Sequence, residues 1–156
     1  MKMLLASDSY KGSLTTMQVA EQIKKGVRKV FPEAEFMCVP VADGGEGTVE
    51  TMVTHLGGEY RTVKVTAPDG SKIDARYGIL KNGIAVIEMA AASGLPIIPK
   101  EKRNVMTATT YGTGEMIKAA LAEECEQIYI GVGGSATNDG GVGMAQALGY
   151  SFLDRN

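Results

Sequence analysis

The sequence predicts an α/β protein in which a parallel sheet with helices packed on it is joined to a small antiparallel lobe. Three observations predict it. Short apolar runs alternate with helix-period segments from Met3 to Leu56, the β-α-β-α order of a parallel sheet. From Tyr60 to Met89 the pattern changes to strand after strand, separated by turn residues. Beyond Thr107 a helix-period segment, an apolar run and a Gly-rich stretch restore the first pattern.

Met3 to Ser7 is a short apolar run suited to a buried strand. The loop Asp8-Ser9-Tyr10-Lys11-Gly12-Ser13 follows. A helix is expected from Thr15 to about Val30. Thr15 and Gln18 make a capping-box pattern, and Val19, Ile23, Val27 and Val30 or Phe31 share one face. Pro32 stops it. Phe36 to Val41 reads as the next strand and leads into Ala42-Asp43-Gly44-Gly45-Glu46-Gly47. A helix from Thr48 to Leu56 carries Val49, Met52, Val53 and Leu56 inward and ends at Gly57-Gly58.

Tyr60–Ala67 and Lys72–Leu80 alternate in polarity around the turn Pro68-Asp69-Gly70. Asn82-Gly83 is a strong hairpin signal, and Ile84–Met89 completes a three-stranded meander. A small-residue stretch, Ala90 to Pro96, and a basic connector lead to a helix over Glu115–Glu124. Its apolar face is Met116, Ile117, Ala120 and Leu121. A strand at Gln127–Val132, the Gly-rich loop and a helix at Val142–Leu148 close the pattern. Residues 1–58 and 105–156 are expected in one domain, with 59–104 in a second lobe. Tyr150 to Asp154 resembles the opening of a further strand or loop, so the chain is expected to be a fragment. Apolar surface near Phe152 and at the sheet edges would then be exposed, favouring self-association.

A chain of 156 residues, 44% hydrophobic and 22% charged, is sufficient for a packed core and unlike a disordered segment. Sixteen basic against eighteen acidic residues leave a net charge of −2, with no basic surplus to attract nucleic acid or anionic membrane. Cys38 and Cys125 form no Cys-x-x-Cys unit and read as thiols in a reducing compartment. No apolar run is long enough for a signal peptide or a membrane span, so a soluble, cytoplasmic protein is expected. His55 is the single histidine, set among helix-face residues. Neither a zinc site nor a Ser-His-Asp set is apparent.

Three polar or Gly-rich loops each follow a predicted strand and precede a helix. In an open parallel sheet such loops gather at the carboxyl edge, where ligands bind. Gly131 to Gly141 is the most informative. A Gly-rich turn feeding a helix brings backbone N–H groups and a helix dipole to a phosphate. Asn138 and Asp139 add groups able to hold hydrated Mg²⁺ or take a proton from a hydroxyl. Asp43 to Thr48 has three glycines in four positions, more than capping requires, with Asp43 as a base or metal partner. Asp8 to Ser13 offers Lys11 as a mobile positive charge, with Gly12 and Ser13 permitting close approach of an anion. The plain alternative for all three is a tight turn with Ser, Thr or Asp as helix caps. Gly131-x-Gly133-x-x-Ala136 also fits a dinucleotide fingerprint literally, but that fingerprint belongs in the first βα unit and wants an acidic residue about 20 positions on, whereas here it falls in a late unit and the given sequence is ending at that distance. No Walker A loop is present.

Five segments stand out in order: Asp8-Ser9-Tyr10-Lys11-Gly12-Ser13-Leu14, Ala42-Asp43-Gly44-Gly45-Glu46-Gly47-Thr48, Glu88 to Leu95, Tyr111-Gly112-Thr113-Gly114-Glu115 and Gly133 to Gly141. In residues and order they resemble the bacterial glycerate kinases. The chain resembles the N-terminal part of that family, whose members are more than twice as long. The resemblance implies a Rossmann-like or flavodoxin-like domain, with helices on both faces of its sheet, a second α/β domain, and an active site between them. It implies phosphorylation of D-glycerate by ATP with Mg²⁺, at the 2- or the 3-hydroxyl. On that resemblance Asp43, Asp139 and Lys11 are the catalytic candidates. Asp43 is favoured as base and Asp139 as Mg²⁺ partner, without a settled order. Ser9, Gly12, Ser13, Gly44, Gly45, Gly133, Gly134, Ser135, Thr137 and Asn138 are the substrate- and phosphate-binding candidates. Two alternatives stay open: a non-catalytic truncated domain and a nicotinamide-binding oxidoreductase.

Overall fold

The computed structural model describes residues 1–10 and 13–154. The chain divides into two compact units, Met1–Asp43 and Gly44–Asn156.

In the first unit strand β1, Lys2–Ser7, runs parallel to β2, Glu35–Pro40, in register from Lys2↔Glu35 to Ser7↔Pro40. Helix α1, Thr16–Arg28, connects them and packs on both. The expected capping box is present. Thr15 Oγ1 accepts from the Gln18 N–H at 3.3 Å, and Gln18 Oε1 accepts from the Thr15 N–H at 2.9 Å. Lys25 and Arg28 in the last turn complement the negative end of the helix dipole. The apolar face is narrower than its spacing predicts: Val19 and Ala20 are buried, whereas Ile23, Val30 and Phe31 are exposed. Leu4 and Met37, partners in the parallel ladder, are exposed as well. A parallel sheet ordinarily has both faces covered. With two strands and one helix, side chains on the face opposite the helix have nothing in this unit to pack against.

The second unit begins with α2, Thr48–Leu56, followed by β3, Gly58–Thr66, β4, Lys72–Leu80, and β5, Ile84–Glu88. Strand β6, Gln127–Gly131, completes a four-stranded sheet of order β3-β4-β5-β6. The meander is antiparallel as expected, with β3 and β4 in register from Gly58↔Leu80 to Thr66↔Lys72. Its first turn is closed by Asp69 Oδ1, which accepts from Ser71 N at 3.0 Å and Oγ at 2.6 Å. At the second, the Gly83 N–H donates to the Leu80 carbonyl at 3.0 Å, and Gly83 rather than Asn82 takes the left-handed conformation, at φ 76°.

Strand β6 departs from the expected grouping. The sequence reading groups it with the first two strands, but it pairs in parallel with β5, from Ile84↔Gln127 to Glu88↔Gly131. The physical reason lies in β5. Ala85 and Ile87 join one apolar cluster and Val86 joins the other, so β5 is buried on both faces as an inner strand is. Helix α4, Tyr111–Ala122, covers one face with Met116, Ile117 and Ala120 over Val65, Ala75, Tyr77, Ala85 and Ile87. Helix α2 covers the other with Val49 and Val53 over Leu80 and Val86. Between β5 and α4 lie the short helix α3, Ala90–Ser93, and single 3₁₀ turns at Leu95–Ile97 and Lys100–Lys102. Helix α5, Val142–Ala147, packs on α4.

Helix α4 starts at Tyr111, four residues before the expected Glu115, because Gly112 and Gly114 act as contact points and not as breakers. A Cβ on Gly112 would overlap the Thr66 carbonyl oxygen, and one on Gly114 would lie 2.7 Å from the Ala147 Cβ. Among the described residues no helix is long and apolar enough to cross a membrane.

Candidate functional site

The Gly-rich segments of the second unit meet at the carboxyl ends of β5 and β6. Gly131 ends β6 and sits opposite Glu88 at the end of β5. The Gly133 N–H donates to the Gly44 carbonyl at 3.2 Å, and a Cβ on Gly133 would lie 2.7 Å from the Gly45 Cα. Two main chains approach this closely only where neither has a side chain. The 44–47 segment then turns into α2 through Gly44 at φ 88° and Gly47 at φ 94°. Gly44 and Gly45 are therefore in contact with Gly133.

Gly47 is the N-cap of α2 and has no side chain to cap it. Glu88 fills that role from the neighbouring strand: its Oε1 accepts from the Val49 N–H at 2.7 Å. Burial raises the Glu88 pKa above the ordinary carboxylate value. N–H groups of Val49 and Gly47 oppose that shift, and the Glu46 carboxylate reinforces it. Sequence reasoning missed Glu88 as an individual residue. The available signal was a lone carboxylate closing the apolar run Ile84–Ile87, at a sheet edge where ligand loops gather.

The raised pKa has a testable sign. A group that holds its proton more tightly when folded makes the native state lose stability as pH rises from the unfolded value, near 4.5, through the higher folded value. Glu88→Gln removes the charge and keeps an acceptor for Val49. Urea unfolding of this variant between pH 4 and 8 should show a flatter decline than wild type. An unchanged pH slope would remove Glu88 as its source.

Asp139 is engaged differently from what its position suggests. Its Oδ2 accepts from Thr110 N at 2.8 Å, Thr110 Oγ1 at 2.9 Å and Gly143 N at 3.1 Å, while Oδ1 accepts from Gly141 N at 3.1 Å. Thr110 Oγ1 in turn accepts from Met144 N at 2.9 Å. Asp139 thus ties the start of α4 to the start of α5, where carboxylates are favoured by helix dipoles. Burial pushes its pKa up, but the hydrogen bonds from Thr110, Gly143 and Gly141 outweigh burial and hold it below the ordinary value. These donors occupy the carboxylate in directions a hard cation would need. The group does not fit a direct Mg²⁺ ligand, and a carboxylate with lowered pKa is a weak base. No cluster of three or more His, Cys, Asp or Glu able to hold a metal occurs among the described residues.

The rest of the Gly-rich loop is braced internally. Leu95 N donates to Gly134 O at 2.9 Å, and Ala136 N donates to Ser93 O at 2.9 Å. Thr137 N donates to Ser135 Oγ at 3.1 Å, and the Ser135 and Thr137 hydroxyls lie 3.0 Å apart. Gly133, Ala136, Thr137 and Gly141 N–H groups all have partners inside the protein. Ser135, Thr137 and Asn138 line an open cleft beside these contacts.

Of the other candidates, Ser9, Ser13 and Asp43 belong to the first unit. The Ser9 N–H donates to Asp8 Oδ1 at 2.6 Å, Ser13 closes a turn onto the Tyr10 carbonyl at 2.8 Å, and Asp43 is exposed. Lys11 and Gly12 lie outside the described residues.

The chain matches the model of the glycerate kinase family over residues 3–156. The chain belongs to the glycerate kinase family. It is 54% identical over 157 residues to glycerate 2-kinase of Escherichia coli, covering all of this chain and 41% of that protein. It is 53% identical to glycerate kinase of Halalkalibacterium halodurans, covering 98% of this chain and 40% of that protein. A crystal structure of a Salmonella typhimurium LT2 protein provisionally named glycerate kinase 2 superposes with a TM-score of 0.77 at 51% identity. That match covers 96% of this chain and 41% of the other. The chain spans about two fifths of the length of these glycerate kinase relatives.

Proposed function

We propose that this chain forms part of a kinase that transfers the terminal phosphoryl group of ATP to a hydroxyl of D-glycerate. The observation that carries the reading is family membership across the whole chain, at 50% identity or more to proteins named glycerate kinase. The interlocked Gly44–Gly47 and Gly131–Gly134 segments support it, since phosphoryl transfer rests on positioning and charge stabilisation by a rigid frame. Asp43 takes the proton of the attacking hydroxyl, and Lys11 pairs with an anionic group of a substrate. Ser9, Gly12, Ser13, Ser135, Thr137 and Asn138 are the substrate- and phosphate-binding residues of this reading. Asp139 acts through α4 and α5 as a positioning residue. Mg²⁺ accompanies the nucleotide in this reading, and no residue of this chain is assigned to it.

A coupled assay of ADP release with D-glycerate tests the proposal, run on this chain alone and on a version of the relatives' full length. Turnover in the full-length version is expected, and phosphorus NMR of the product reads which hydroxyl is modified. Lys11→Ala should lower kcat/KM at least about tenfold, roughly 1.4 kcal/mol of transition-state stabilisation. Asp43→Asn should lower kcat by about 10²–10⁴ if Asp43 is the base. Absence of D-glycerate-dependent ADP release in the full-length version would overturn the proposal.

A further inference from the structure

A cleft of about 500 Å³ opens between the segment Leu95–Val105 and the loop Ser135–Asn138. That volume suits a small organic ligand. The two segments are joined by backbone: an isolated bridge pairs Gly94 with Ser135, flanked by the Leu95–Gly134 and Ala136–Ser93 hydrogen bonds. Arg103 stands on one wall. Its Nε donates to the Ile98 carbonyl and its Nη2 to the Leu95 carbonyl, each at 3.2 Å. A guanidinium has five N–H donors, so two carbonyls fix its plane and leave donors for a ligand. Ser135, Thr137 and Asn138 also line the cleft, the two hydroxyls 3.0 Å apart, and no lining residue is acidic. Asp139, next in the chain, directs its carboxylate onto Thr110, Gly141 and Gly143.

We propose that this cleft is an oxyanion receptor in which Arg103 holds a phosphate or carboxylate group against Ser135, Thr137 and Asn138. A fixed, planar cation facing hydroxyl and amide donors matches either anion. The source of the anion, nucleotide or hydroxy acid, rests on the phosphotransfer reading above. The affinity for an oxyanion is tested without turnover.

The test is labelling of the full-length wild-type protein by phenylglyoxal, with modification of each arginine followed by mass spectrometry. Parallel samples contain Mg·ATP, D-glycerate or uncharged glycerol. One of the two anions at ten times its Kd should slow modification of Arg103 about tenfold, while glycerol leaves it unchanged. Protection by ATP assigns a phosphate, and protection by D-glycerate assigns the carboxylate. Arg103→Met should then raise KM for that same ligand at least about tenfold with little change in kcat, and Arg103→Lys should restore only part of it. Modification of Arg103 that neither anion slows overturns the proposal, whether or not the protein proves to be a kinase. An Arg103→Met variant with unchanged KM for both substrates overturns it too.

Discussion

Asp139→Asn should destabilise the protein by about 3 kcal/mol, because the amide cannot satisfy the donors that the carboxylate satisfies. Thr110 N, Thr110 Oγ1, Gly141 N and Gly143 N all point hydrogens at it. One amide oxygen can serve part of this set, but the NH₂ group must then face another donor. Hydrogen bonds to a charged acceptor contribute about 1.5–3 kcal/mol each, so losing even two leaves the ends of α4 and α5 poorly held. For a chain of this size the melting temperature should fall by roughly 6–12 °C. Exchange of carboxylate for amide is benign at a solvated site and costly at one surrounded by N–H groups.

The same residue should shape the acid limb of stability. Its folded pKa lies below the ordinary 3.8, so its contribution is fully present above that value and disappears as pH falls through the lower, folded one. Wild type should therefore lose stability below about pH 4 more steeply than Asp139→Asn, whose amide does not titrate. Thermal melts from pH 2 to 7 check both parts. An Asn variant with wild-type melting temperature and wild-type acid limb would return Asp139 to the set of free catalytic candidates.

Much of this arrangement is legible in the residues. Capping at Thr15 and Gln18 and the turns at Asp69-Gly70 and Asn82-Gly83 are local chemistry, and each forms as its residues require. The three Gly-rich or polar loops are visible for the same reason: glycine density marks backbone that must pass close to something. What it passes close to is not local. Gly133 faces Gly45, 88 positions earlier, through a sheet edge that only the strand order β5-β6 creates. The pairing of β6 with β5 was equally hidden, since an apolar run such as Ile128–Ile130 suits any parallel neighbour. Glu88 and Thr110 escaped because their partners, α2 and Asp139, are brought to them by tertiary packing. Ile23 and Leu56 err in the other direction, since helical spacing places them on an apolar face that the described units leave exposed.

Gly131→Ala should cost about 2–3 kcal/mol and, in the full-length version, lower kcat/KM at least about tenfold. A methyl on Gly131 would overlap the Gly44 carbonyl oxygen and lie 2.8 Å from the Gly44 carbonyl carbon and 3.0 Å from its Cα. All three atoms are main chain, so no rotamer change relieves the contact. Gly131 itself is fixed: it pairs with Glu88 in the ladder, and its carbonyl accepts from Met89 N at 2.9 Å. The segment that must give is therefore Gly44–Gly47, together with the Gly133–Gly44 hydrogen bond and the start of α2. Separation of these loops disturbs every ligand group they position, which is why activity should fall beyond what lost stability explains. Gly26→Ala is the control. It lies inside α1 with nothing within 4 Å of the added Cβ, and alanine there should stabilise by up to about 1 kcal/mol. If Gly131→Ala matches that control in melting temperature and in kcat/KM, the close approach of the two loops is not what builds the site.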